Sequence, residues 1–196
     1  MLGEIHGKLV FGRRVRRLAA ALVDRLPADA RVLDVGCGSG DLAALVMQLR
    51  PDVTIEGIDV LVRPGTAIPV HAYDGQHIPF PDNAFDAAIV IDVLHHTDDP
   101  QAVLAEIARV APVVVIKDHL RDGLLANATL RFMDWVGNAA HGVRLPYNYL
   151  SRREWSGIWQ ALGLRTSAFA TRLSLYPRPA SWLFDRGLHF VTILSR

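Results

Sequence analysis

The stretch Arg31-Val-Leu-Asp-Val35 runs directly into Gly36-Cys37-Gly38-Ser39-Gly40, and this junction constrains the fold more than any other part of the chain. The short apolar run reads as a buried strand, and the helical spacing of Leu42, Leu45, Val46 and Leu49 follows at once. Val53-Thr-Ile-Glu-Gly-Ile58 reads as a second strand and ends at Asp59, 19 residues past Gly40. Strand, glycine turn, helix and strand argue for a parallel crossover, because two parallel strands need a long connection. The three glycines permit a tight turn and let a ligand press against the backbone. The helix behind them aims its first N–H groups at the same place.

The rest of the chain extends this alternation. Phe11, Val15, Leu18, Leu22 and Leu26 share one helix face over residues 8–26. A short strand is expected within 67–72, a buried strand over 85–91 and a fifth over 113–116. Asp98, Asp99 and Pro100 start a helix between the last two, since carboxylates and proline suit a first turn. Leu125, Ala128, Phe132 and Trp135 mark the face of a helix over 123–139 that should pack inward. Ser151 and Glu154 have capping-box spacing for a helix to about Leu162. Residues 164–175 and 188–195 read as two closing strands around Pro177 and Pro179. The fold class is therefore α/β, a doubly wound Rossmann-like sheet in one domain spanning 1–196. Ligands in such sheets sit beyond the carboxyl ends of the strands, which selects residues 36–41, 59–61, 73–78, 92–97 and 117–120.

Composition removes several function classes. A formal charge of +1 argues against a nucleic-acid partner, which usually needs a basic excess. Cys37 is the only cysteine, so an internal disulfide and a thiolate zinc site are excluded. No uninterrupted apolar run approaches the ~20 residues that span a bilayer. The N-terminal residues lack the arrangement of a signal peptide, and a cytoplasmic protein is expected. Arg13, Arg14, Arg16 and Arg17 form a basic cluster that suits either a solvated helix face or peripheral contact with an acidic membrane.

The glycine spacing bears on the cofactor. A dinucleotide fingerprint starting at Gly36 would need glycine at position 41, which is Asp. An anion in the first helical turn opposes a pyrophosphate, so an NAD(P)-binding oxidoreductase is the weaker alternative. S-adenosylmethionine carries no phosphate and avoids the conflict. Val32-Leu-Asp-Val-Gly-Cys-Gly-Ser-Gly40, followed by Gly57-Ile-Asp-Val60, resembles the first two motifs of class I S-adenosylmethionine-dependent methyltransferases. The run from Tyr73 to Val110 resembles their type 11, ubiquinone/menaquinone-biosynthesis-like branch. The likeness covers about residues 30–120, the expected cofactor-binding core, and residues 121–196 would form the acceptor side. It implies seven strands, mostly parallel, with the last antiparallel.

The same resemblance implies roles for individual residues. Gly36, Gly38 and Gly40, with Cys37 between them, would line the methionine and ribose part, and Asp34 would support the amino end. Asp59 would accept from the ribose hydroxyls, Val60 would flank adenine, and Asp74 with Gly75 would meet its amino group. Asp92 would lie beside the methyl donor. Two departures stand out: Pro64 and Gly65 leave no room for the usual helix after Asp59, and the turn before the fifth strand is shortened.

Methyl transfer from a sulfonium depends chiefly on in-line positioning, and a general base is optional. His95, His96 and His119 are the candidates for that base. Asp118 precedes His119, but neighbours on a strand point to opposite faces. His95, His96, Asp118 and His119 also contain metal-ligand types, although no spacing among them requires an ion and no metal is expected. The acceptor is expected to be a small, partly apolar compound methylated on oxygen or carbon, or on nitrogen. Residues 1–26 and 141–150 are expected to form a lid over it. A non-catalytic cofactor-binding subunit that works with a partner protein is the remaining alternative.

Overall fold

The computed structural model describes residues 2–138 and 146–196, with side chains from Gly12 to Val136 and from Pro146 onward. Seven strands form one sheet in the order β3-β2-β1-β4-β5-β7-β6. They are β1 (Arg31–Val35), β2 (Thr54–Asp59), β3 (Val70–Ala72), β4 (Ala87–Ile91), β5 (Val113–His119), β6 (Arg165–Ala170) and β7 (His189–Ser195). β7 alone runs against its neighbours, pairing antiparallel with both β5 and β6. The mostly parallel, seven-stranded α/β sheet with an antiparallel last strand is the expected one.

The helices follow the same chain order: α1 (Leu2–Val23), α2 (Asp41–Leu49), α3 (Pro100–Val110), α4 (Ala126–Asn138), α5 (Arg152–Ala161) and the short α6 (Ser181–Phe184). The Asp99 side chain accepts the Ala102 N–H at 3.0 Å and starts α3. Ser151 and Glu154 close the predicted capping box of α5. Alternation along the central strands divides the core between the two faces of the sheet. Leu33, Ala88, Val90, Val114 and Ile116 pack with α3 and with Trp155 and Trp159 of α5. Val32, Ala87, Ile89 and Val115 pack with Ala19 and Leu22 of α1 and Ala43 and Val46 of α2.

Two boundaries and one helix orientation differ from the sequence reading. β5 continues to His119, because β7 supplies a partner for every residue from Val113 to His119. β6 stops at Ala170, where its register with β7 ends. α4 is rotated from its expected orientation: Ala126 and Leu130 are buried, whereas Phe132 and Trp135, and Leu125 just ahead of the helix, are exposed. No helix joins β2 to β3, as Pro64 and Gly65 require. The parallel strands end along one edge of the sheet, and antiparallel β7 begins there, placing His189 opposite His119.

Candidate active site

The glycine turn beyond β1 is built for close approach. Gly36 has φ 72°, and a Cβ there would lie 2.4 Å from Val93 Cγ2. A Cβ on Gly38 would meet nothing nearer than Arg63 at 3.9 Å, so its backbone is open to a ligand. The Gly38 N–H donates to Asp59 Oδ2 at 2.8 Å, and the Leu61 N–H donates to Oδ1 at 2.9 Å. Both oxygens are held by one bond each, and a carboxylate has further lone pairs for hydroxyl donors.

A cleft of about 1100 Å³ opens from this turn, and Gly36, Gly38, Asp59, Asp74, Asp92 and His96 all line it. Val60 and Leu61 lie largely exposed on the same wall. Gly75 belongs to this wall too, with the position of its missing Cβ 3.2 Å from Val60. Asp74 folds the next turn: its Oδ1 accepts the Gln76 and His77 N–H groups, both at 2.7 Å. The His77 backbone and side-chain bonds hold its carboxyl down at about 2.

Asp34, Cys37 and Gly40 do not line the cleft. Asp34 is buried in β1. Cys37 Sγ would be 2.4 Å from a Cβ on Gly57, so it packs against β2. Burial, with Asp34 and Asp59 adding, pushes its thiol up to about 12 and makes it a poor nucleophile. Gly40 turns toward Ile68, 2.5 Å from where a Cβ would stand. These residues shape the turn from behind: Asp34 lies within β1, and Cys37 and Gly40 approach Gly57 and Ile68.

Asp92 is tied to two cations. Its Oδ2 accepts from Arg14 of α1 and its Oδ1 from the fully buried Lys117 of β5. Burial alone would raise the Asp92 carboxyl, but Lys117 and then Arg14 hold it well below the usual carboxylate range. Lys117 Nζ also lies 3.3 Å from His189 Nδ1. The side chain expected beside the methyl donor is thus already engaged in a buried ion cluster.

The three candidate histidines separate clearly. His95 is buried, with Nδ1 2.6 Å from Asp118 Oδ1. Burial opposes its charge, but Asp118, aided by Asp134 and Asp92, raises it to about 9, so His95 is an imidazolium at neutral pH. His119 is buried and held neutral at about 4 by burial and then Lys117. Neither lines the cleft. Asp118 and His119 do meet, against expectation, because Asp118 Oδ1 curls back to accept the His119 N–H at 2.7 Å.

His96 is the one of the three that faces the cleft. Burial, then the charge on His95, lowers its pKa and keeps it neutral. Its Nε2 lies 3.6 Å from Asp134 Oδ1, while Nδ1 is enclosed without a hydrogen-bond partner. Tyr149 OH donates to Asp134 Oδ2 at 2.8 Å and its ring stacks on His95. Asn148 Nδ2 donates to Thr97 O at 2.7 Å, fastening this segment over the turn that carries His96. Of the expected 141–150 lid, residues 141–145 lie outside the described residues.

The cleft fits S-adenosylmethionine by its donor set: an open Gly38 backbone, the Asp59 carboxylate and the exposed Val60 and Leu61 side chains. Asp41, held by Ser39 Oγ at 2.7 Å, puts an anion beside the turn and opposes a pyrophosphate. Ligand-capable atoms of His95, Asp118 and His119, and of His95, His96 and Asp134, lie within 4.8 Å of one another. The neighbouring Lys117 and Arg14 set two cations against a metal ion there.

Comparison with known proteins agrees with this construction. The profile of a methyltransferase-domain family matches residues 10–168. The ubiquinone/menaquinone biosynthesis C-methyltransferase of Cupriavidus pinatubonensis is 32% identical over 141 residues, 62% of this chain and 58% of that protein. The 27-O-demethylrifamycin SV methyltransferase of Amycolatopsis mediterranei is 32% identical over 109 residues, 48% of this chain and 40% of that protein. The chain thus matches only part of the length of these curated relatives, 58% of the first and 40% of the second. An S-adenosylmethionine-dependent methyltransferase from Mesorhizobium loti shares the fold, with TM-score 0.67, 17% identity and coverage of 90% and 96% of the two chains. So does a chain of the Haloferax volcanii complex containing the Trm112 methyltransferase activator, at TM-score 0.70 and 16% identity, covering 96% and 93%. With that profile spanning most of its length, the chain belongs to the methyltransferase-domain family, a class that takes its methyl group from S-adenosylmethionine.

Proposed function

We propose that this protein methylates a small, partly apolar acceptor on oxygen or carbon, with His96 as the proton acceptor. The observation that carries this reading is that Gly38, Asp59 and neutral His96 line one and the same cleft. Bound S-adenosylmethionine supplies an electrophilic methyl group on its sulfonium sulfur. Asp59 receives the ribose hydroxyls, Val60 and Leu61 pack the base, and Asp74 borders its amino group. His96, on the cleft wall, takes the acceptor's proton as the bond to the methyl forms and the methyl–sulfur bond breaks, leaving a neutral thioether. Asp134 and Tyr149 fix the ring. Asp34, Cys37 and Gly40 support the turn.

A cytoplasmic setting, membership of the type 11 branch and an activating protein partner belong to the same proposal. The partner is suggested by the Haloferax volcanii complex.

A labelled-methyl screen against phenols, quinols, sugars and lipids tests the activity, and His96→Gln tests the base. Turnover should fall about 10²–10⁴-fold in His96→Gln, with affinity for S-adenosylhomocysteine unchanged. The wild-type rate should rise with pH through a midpoint below 6.5 and then level, because His96 must lose its proton to act. Absence of transfer to every acceptor class would overturn the activity; an undiminished His96→Gln rate would overturn the base.

A further inference from the structure

The apolar stripe of α4 points away from the protein. Leu125, Ala128, Phe132 and Trp135 have the spacing of a core-facing stripe. A second stripe, Ala126, Leu130 and Met133, is the one that packs inward, beside Tyr149 and Leu188. The first is left in solvent: Phe132 is 54% exposed, Trp135 56% and Leu125 66%. Leu124 and Val136 are exposed beside it. The segment after β6 borders the same helix, since Arg186 Nη2 lies 3.4 Å from Thr129 Oγ1, and it exposes Trp182 and Leu183. Monomers rarely show this many large apolar side chains close together without a use for them.

Charge selects the occupant. Within residues 123–138 the only formal charges are Arg131 and Asp134. Asp134 faces inward to His96 and Tyr149, and Arg131 lies outward over the Tyr147 ring at 4.2 Å. Arg186 adds a second exposed cation. The nearby acids are turned to backbone: Asp122 Oδ2 accepts the Arg152 N–H at 2.7 Å, and Asp185 accepts those of Leu175 and Tyr176 at 3.2 Å each. The outer face is therefore aromatic and aliphatic with an arginine rim. A second copy meeting it about a two-fold axis would bring like arginine rims together. An anionic bilayer surface offers apolar depth for the rings and phosphates for the guanidinium groups.

We propose that α4 and the Trp182–Leu183 turn dock this protein on anionic phospholipid membranes, lying in the interface without spanning it. No described helix is long and apolar enough to cross a membrane. The proposal stands apart from the methyl-transfer reading, because binding is read without turnover. The full chain is floated on density gradients with phosphatidylglycerol/phosphatidylcholine vesicles and with phosphatidylcholine vesicles alone. Wild-type protein should float with the anionic vesicles only, and high salt should weaken this. The double variant Phe132→Ser/Trp135→Ser should lose about tenfold or more of its vesicle partition, with an unchanged circular dichroism spectrum. Arg131→Gln/Arg186→Gln should lose severalfold. Failure of wild type to float, equal binding to neutral vesicles, or full binding by the Phe132/Trp135 variant would overturn the proposal. Light scattering that shows a dimer abolished by the same variant, with no flotation, would overturn it in favour of self-association.

Discussion

Asp34 sets burial against charge at a single residue. It sits inside β1, and burial, with Asp59 second, pushes its carboxyl up to about 7. A pKa raised on folding contributes stability below the unfolded value near 4, and that contribution is lost as pH rises through about 7. Asp34→Asn keeps the uncharged form at every pH. It should match wild type near pH 4 and exceed it above pH 7, by at most about 4 kcal/mol at ~1.4 kcal/mol per pH unit. Urea unfolding at both pH values checks this, and a gap independent of pH would contradict it. Asp59 was legible in the sequence because a strand-end acid after a glycine turn has few other uses. Asp134 was not, because α4 carries two stripes at helical spacing. Spacing alone does not tell which one faces the core. Choosing Ala126, Leu130 and Met133 would have put Asp134 on the inner side.

At the level of elements, α1 is fastened at two points. Leu18, Ala19 and Leu22 are buried, the last two against the sheet and α2, so removing the helix would open the core as well as any lid. Arg14 reaches across to Asp92, and the two substitutions that weaken this cluster should differ in size. Lys117→Met strands Asp92 inside the protein with one partner and should cost about 3–5 kcal/mol. Arg14→Ala removes a side chain that is one-third exposed and should cost about 1 kcal/mol after screening. Denaturant midpoints of both variants give the ranking, and a reversal would mean that Arg14 is the principal anchor. The capping signals at Asp99 and Ser151 made α3 and α5 readable in advance, since they depend only on local chemistry. The extension of β5 to His119 was not readable, because it depends on β7, which lies some 70 residues away in sequence. The Asp118 contact with His95 was hidden for the same reason.

Across the whole molecule, the strand order brings the glycine turn, Asp59 and His96 to one edge, so ligand binding there should stabilise the complete fold. At a hundredfold excess over its dissociation constant, S-adenosylhomocysteine should add about 2.7 kcal/mol. For a chain of this size that raises Tm by roughly 5–10 °C. NAD at matching concentration should leave Tm unchanged, and Asp59→Ala should shrink the shift. Thermal melts decide both, and a larger shift with NAD would reverse the cofactor assignment. The sheet also has two open margins, and neither is a long, flat strand. β3 is three residues long, and β6 begins at Arg165 and shifts register between Thr166 and Ala168. A foreign strand arriving at either side finds too few aligned N–H and C=O groups to continue the ladder. The short β3 and the irregular β6 therefore act as guards against runaway edge-to-edge aggregation in a sheet whose middle strands carry long apolar runs such as Ala87–Ile91 and Val113–Ile116.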